Sequence, residues 1–274
     1  MKVWTRPFTA AVAAASIFAF SSSANAGVGD LLVAPTRIVL DGRKGAEIIL
    51  NNIGEEPATY RVSVEFRRMT EDGGLEDVTA PSAADKVAED MIVYAPRRVT
   101  LAPHEPQSIR IAARPPQGLP DGEYRVHMLF RAIPPPAPVV AGDAPPVKGV
   151  QFQLIPIYGV TIPVIVRLGN LQATAGIADV HLAKKDGNSV VSLELSRTGQ
   201  RSTFGELKVL RAGEKQPVAV QNAVAVYTEI GERHVDVPLN PAFKGDPAGP
   251  VTVQYVETYD DGRHVIAEAQ AVLR

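Results

Sequence analysis

The sequence predicts an all-β protein of two immunoglobulin-like β-sandwich domains, and three observations predict it. After residue 30 nearly every apolar segment alternates with the period of a strand. The gaps between segments are filled by Gly, Pro, Asn or Asp. The segments fall into two sets of about seven, the strand number of one such sandwich. No cysteine occurs among the 274 residues, so the cores alone must hold the domains.

The first 26 residues stand apart from this pattern. Lys2 and Arg6 give a positive start, Phe8 to Phe20 are apolar apart from Thr9 and Ser16, and Ala24-Asn25-Ala26 supplies small residues at a cleavage position. This reads as an export signal removed after Ala26. The remainder would be 248 residues with 26 Lys+Arg against 30 Asp+Glu, an acidic balance that argues against nucleic acid as a partner. No second apolar run is long enough to span a bilayer.

Taken in order, Leu31 to Leu40 reads as a strand ending at Asp41-Gly42, and Ala46 to Leu50 as a short one ending at Asn51-Asn52. Ala58 to Phe66 sets Tyr60, Val62, Val64 and Phe66 against Arg61, Ser63, Glu65 and Arg67, a half-buried antiparallel strand. Met69 to Asp90 is acidic, turns at Asp72-Gly73-Gly74, and invites a helix only at Ser82 to Asp90. Strands follow at Ile92 to Tyr94, Arg97 to Leu101, Gln107 to Ala112 and Tyr124 to Ile133, the last stopping in Pro134-Pro135-Pro136. A Pro/Gly/Ala linker, Ala137 to Gly149, precedes VQFQLIPIYGVTIPVIV at 150–166, an uncharged run too short for a membrane and far longer than an ordinary strand. The second half continues with Ala173 to Ala183, Val190 to Leu195, Glu206 to Leu210, Ala219 to Thr228, His234 to Val237, Val251 to Thr258 and His264 to Leu273. The expected division is 1–26 signal, 27–168 first domain with the long strand, and 169–274 second domain.

Catalytic signatures are missing. There is no G-x-S-x-G, H-E-x-x-H, Walker loop or G-x-G-x-x-G, so no enzyme activity, cofactor or metal is expected. His104, His127, His181, His234 and His264 are scattered and read as surface or strand-face residues. Glu71, Asp72, Glu76 and Asp77 match no calcium loop and read as a solvated turn.

Four pieces occur in a fixed order: VAPTRIVLDG at 33–42, APRRVTLAPHEPQSIRI at 95–111, LPDGEYRVHMLFRAIPP at 119–135, and the long strand followed by Arg167. Together they resemble the PapD-like family of periplasmic pilus chaperones; in the second half the likeness rests on strand number and on VQYVETYDDGR. The resemblance implies a boomerang of two domains in the periplasm, monomeric when free, that binds pilus subunits lacking their last strand and delivers them to an outer-membrane usher. The donor residues it implies are Leu154, Pro156 and Tyr158, with Phe152 added at the start; Pro156 removes a backbone donor, and Ile155 and Ile157 are the alternative face. It makes Arg37 the anchor for the subunit's terminal carboxylate. Its second anchoring cation, a lysine, is replaced by Pro163, so that Arg131, Arg97 or Arg98 substitutes or the anchor differs. Glu123 and Arg167 match an ion pair that sets the domain angle; the Asp that completes it falls on Thr258, with Glu257 or Asp260 nearby.

Two other classes remain open from the residues. One is a structural or adhesive protein whose long strand pairs with copies of itself. The other is a carbohydrate module, which would need an aromatic platform, whereas the only tryptophan is Trp4.

Overall fold

The computed structural model describes residues 30–134, 157–259 and 262–274. The expected signal, the linker, residues 150–156 of the long strand, and Asp260 lie outside them.

The chain opens with β1 (Leu31–Ala34) and β2 (Ile38–Leu40), which were expected as one strand. They belong to different sheets. Pro35 supplies no N–H to a ladder, so the backbone leaves the first sheet there and rejoins the second after Arg37. Next come β3 (Ala46–Asn52), β4 (Ala58–Glu65) and a hairpin of two short strands, β5 (Arg67–Met69) and β6 (Leu75–Asp77), on either side of the Asp72-Gly73-Gly74 turn. The helix α1 (Ala83–Asp90) forms where Ser82 offers a cap: Asp85 N–H donates to Ser82 Oγ at 3.2 Å, and Ser82 N–H to Asp85 Oδ2 at 2.8 Å. The first half ends with β7 (Ile92–Ala95), β8 (Arg98–Leu101), β9 (Pro106–Ala113), β10 (Gly122–Ile133) and β11 (Gly159–Leu168). One sheet has the order β1-β3-β9-β7 and faces another of order β2-β11-β10-β4-β8.

Alternation decides what lies between these sheets. Tyr60 and Val62 on β4, Ile48 and Leu50 on β3, Ile109 and Ile111 on β9, Met128 and Phe130 on β10, and Ile162 and Val164 on β11 are buried in one core. The neighbours of each in sequence point outward, as Arg61 between Tyr60 and Val62 shows.

The second half contains β12 (Ala173–Lys185), β13 (Asn188–Gly199), β14 (Thr203–Leu210), β15 (Ala219–Val226), β16 (Glu232–Pro238), β17 (Gly249–Tyr259) and β18 (Gly262–Leu273). Sheets β12-β13-β16 and β15-β14-β17-β18 enclose a valine-rich core with Leu193, Leu195, Leu207 and Tyr255, whose hydroxyl donates to the Val224 carbonyl at 2.8 Å. Two separate cores make two β-sandwiches.

A third cluster, Met69, Ile165, Ala225 and Tyr227, joins the halves. Around it, Glu229 of the β15–β16 loop takes both guanidinium nitrogens Nη1 and Nη2 of Arg125, the first at 3.0 Å, and accepts from Met69 N–H at 2.7 Å. The β5–β6 turn also reaches across, since His234 N–H donates to the Glu71 carbonyl at 2.7 Å. Gly73 lies so close over Arg233, at a positive φ of 82°, that a Cβ there would collide with the guanidinium.

Candidate functional site: the junction cleft and the edge of β11

Arg37 sits at the sheet switch between β1 and β2, where it points toward the second sandwich. Its guanidinium lies 4.5 Å from the Phe204 ring centroid and Nη2 reaches Ser202 Oγ at 3.5 Å. Nη1 is buried without a hydrogen-bond partner among the described residues. Burial pushes the Arg37 pKa down, Tyr227 opposes this, and the neighbouring charge of Arg167 adds to it. An arginine stays protonated even so, and the arrangement is a desolvated cation with a donor left over.

Glu123 and Arg167 pair across β10 and β11, with Arg167 Nε donating to Glu123 Oε2 at 3.0 Å. The same oxygen accepts from the backbone N–H of Ser202 at 2.9 Å and from its hydroxyl at 3.0 Å. Arg167 Nη2 in turn donates to the Ser202 carbonyl at 3.0 Å. Ser202 is therefore the member contributed by the second half. Thr258 and Glu257 do not take that place, and Asp260 is outside the described residues. Glu257 is held by Arg201 at 2.9 Å and by Phe204 N–H at 2.7 Å, with its charge stabilised against burial by those donors. Nothing local marked Ser202; an uncharged serine gains its role only from where the β13–β14 turn is set down. Arg197 sets it down by donating to the carbonyls of Gly199 and Arg201 on that turn and to those of Thr228 and Ile230 on the next loop.

Arg131 and Arg97 are not brought to Arg37. Arg131 faces Gly159 at the opposite end of the β10–β11 ladder, eight positions from Glu123 and so about 26 Å away along the strand. Arg97 stacks over Tyr94 at 5.2 Å, and its carbonyl accepts from Val62 N–H near the same far end. Arg98 is further still, on the edge strand β8. The second cation near Arg37 is Arg167.

Pro163 stands opposite His127 in the ladder. His127 is 1% exposed with both ring nitrogens unpartnered among the described residues, and its ring meets Tyr227 edge-on at 6.4 Å. Burial first, then the positive charge of Arg125, lowers its pKa from 6.5 to about 3. The unfolded chain therefore binds this proton more readily than the folded one, and the contribution is intact above pH 6.5 and lost as pH falls toward 3. At 1.36 kcal/mol per unit, about 2 kcal/mol is lost between pH 6.5 and pH 5. His234 acts with the opposite sign, because Glu194 raises its pKa, so the comparison must be with His127→Leu rather than with pH alone. Thermal unfolding of the variant is expected to lose about that much of the acid sensitivity; identical pH profiles would contradict it.

The last feature is an edge. β11 pairs with β10 along its whole length, and Ala132 N–H extends the pairing to the Tyr158 carbonyl at 2.9 Å. On its other side β2 covers only Val164 to Val166. From Gly159 to Pro163 that second side is unpaired among the described residues. Ile157 and Tyr158, both exposed, mark the start of this stretch; Phe152, Leu154 and Pro156 lie outside the described residues.

No protein-family model matches the chain, and no curated protein does. Among solved structures it is similar to that of the YadV chaperone, at 14% identity and a TM-score of 0.44, covering 89% of this chain and all of that one. It is likewise similar to the E. coli chaperone DraB, at 18% identity and a TM-score of 0.44 over 89% of this chain and 96% of the other. A third similar structure is Salmonella enterica SafA pilin in complex with the SafB chaperone, at 15% identity and a TM-score of 0.43, with 89% and 97% covered.

Proposed function

We propose that the chain is a non-enzymatic periplasmic chaperone that captures pilus subunits as incomplete β-sandwiches, completes them with a donated strand, and hands them to an outer-membrane usher. The observation that carries this reading is the open side of β11 from Gly159 to Pro163, lying between the exposed Tyr158 and the cleft of Arg37. An unpaired strand side is a template for another chain, and strand addition is a known mode of capture. The unpartnered Nη1 of Arg37 supports a carboxylate as the group that ends the captured strand, because a buried donor without an acceptor is costly. In this reading residues 27–168 form the capturing domain and residues 169–274 close the cleft with Ser202, Phe204 and Tyr227.

The phase of β11 bears on which side chains are donated. Ile162, Val164 and Val166 are buried on one face. A strand continuing into a second sandwich keeps its alternation, so counting back in twos leads to Tyr158, Pro156, Leu154 and Phe152, rather than Ile157 and Ile155. Leu154→Asp is therefore expected to abolish co-purification of subunits expressed in the same periplasm, since an unpaired carboxylate cannot be buried in their groove. Ile157→Asp should retain them. The reverse result would shift the register by one residue, and retention by both variants would sink strand donation.

The same open edge favours one second reading, self-association in a fibre. Sedimentation of the free chain separates the two: a monomer is expected, and concentration-dependent polymers would favour the fibre.

A further inference from the structure

The outer face of the sheet β2-β11-β10-β4-β8 carries a row of three like charges. Arg131 of β10 stands directly opposite Arg61 of β4, and Arg61 directly opposite Arg98 of β8. All three are exposed, and none makes an ion pair or a side-chain hydrogen bond among the described residues. Adjacent strands lie about 4.8 Å apart, so three guanidinium groups share a strip about 10 Å wide. Like charges placed directly opposite destabilise a sheet. Other basic side chains on strands of this protein meet acids: Lys185 meets Asp236 at 2.8 Å, and Arg167 meets Glu123 at 3.0 Å. A chain with a net charge of −2 has acids enough to do the same here.

We infer that this arginine row is a docking strip for an acidic stretch of polypeptide on the protein held at the β11 edge. Three observations favour that occupant. The fourth position of the row is Gly159 of β11, whose missing side chain leaves the strip continuous with the start of the open edge. Arg61 and Arg131 also line a recess with Ile133, Pro134 and Ile157, so the cations have apolar neighbours of the kind a peptide's mixed side chains satisfy and a uniformly hydrated polyanion does not. Third, Arg37 immediately precedes β2 of this same sheet, and its guanidinium reaches Ser202, the partner of Glu123 at the end of the β10–β11 ladder opposite Arg131. A protein that fills the cleft and runs along β11 toward Gly159 therefore passes the strip. The strip adds long-range attraction that speeds encounter and orients the incoming protein, an effect that weakens with salt.

The source of the acidic stretch rests on the capture reading above; the chemistry of the strip does not, and the test separates them. The full chain without its first 26 residues is titrated with a C-terminally amidated decaglutamate peptide, the matching decaglutamine peptide, a single-stranded oligonucleotide and phosphatidylglycerol vesicles. Decaglutamate is expected to bind, more weakly as salt rises from about 50 to 300 mM, and decaglutamine not to bind. The double variant Arg61→Thr/Arg98→Thr should lose about five- to tenfold in affinity for decaglutamate, with a melting temperature no lower than that of the parent. Arg110→Thr, at an exposed position of β9 in the other sheet, should bind the peptide as the parent does. Equal binding by the double variant, a preference for oligonucleotide or vesicles over decaglutamate, or a lowered melting temperature would each overturn the proposal. Failure of the capture reading would show separately, as subunits still co-purifying with both Leu154→Asp and Ile157→Asp.

Discussion

Arg37→Ala is expected to weaken the complex with a captured subunit by about 2–5 kcal/mol, the usual cost of truncating one side of a buried, hydrogen-bonded charge pair. Arg37 is suited to a carboxylate because its planar fork can meet both oxygens, and because the cleft around Phe204, Ser202 and Tyr227 is poorly screened. In the free protein Nη1 has no partner among the described residues, so removing the guanidinium should leave the stability of the free chain nearly unchanged or slightly raised. That combination, a weakened complex on an unweakened scaffold, is what distinguishes an anchor from a structural arginine. Arg37→Lys should restore only part of the affinity, since a point charge cannot reproduce the fork. Isothermal titration with a purified subunit, or subunit yield in co-purification, measures the first effect and thermal unfolding the second. A variant with parental affinity would place the anchor elsewhere, and one that unfolds early would make Arg37 a piece of the junction.

Glu123→Ala carries the second large effect, on the free protein. The Glu123 side chain is 1% exposed and holds Arg167 Nε together with the N–H and hydroxyl of Ser202. Deleting it strands a partly buried guanidinium and removes the acceptor that ties the first sandwich to the β13–β14 turn. Breaking such a pair costs about 3–5 kcal/mol when burial is deep, and the 23% exposure of Arg167 argues for the lower end. The melting temperature should fall by about 6–12 °C at 2–4 °C per kcal/mol for a chain of this size. The junction should also loosen, giving faster proteolysis near residues 168–173. Glu123→Gln keeps the shape and one acceptor oxygen and should lose less. An unchanged melting temperature for Glu123→Ala would mean that Arg125 with Glu229, and Met69 packed on Tyr227, hold the junction without it.

These two residues illustrate what was legible before any fold was in hand. The alternation in ATYRVSVE or PQSIRIAA is a local property, so strand identity, inward-facing side chains and the two-sandwich plan follow from nearest neighbours alone. The helix invited at Ser82 to Asp90 forms as α1, Ala83–Asp90. Arg37, Glu123 and Arg167 were named because they sit inside runs that resemble a known family.

What the chain order could not decide was which strand lies beside which, and at what register, because pairing joins residues far apart in sequence and each slip of one residue exchanges the faces. Ser202 became the partner of Glu123 only through a turn 79 residues away. The hairpin β5–β6 was missed because three-residue strands are too short to show a period, and their meaning lies in the contact of Glu71 with His234. Arg131 and Arg98 looked like candidates for the cleft until the ladder set them at its far end, on either side of Arg61. Local sequence determined the strands and their buried faces; the tertiary pairing alone decided which charges meet, since Coulomb interactions depend on distance in space and sequence separation does not measure it.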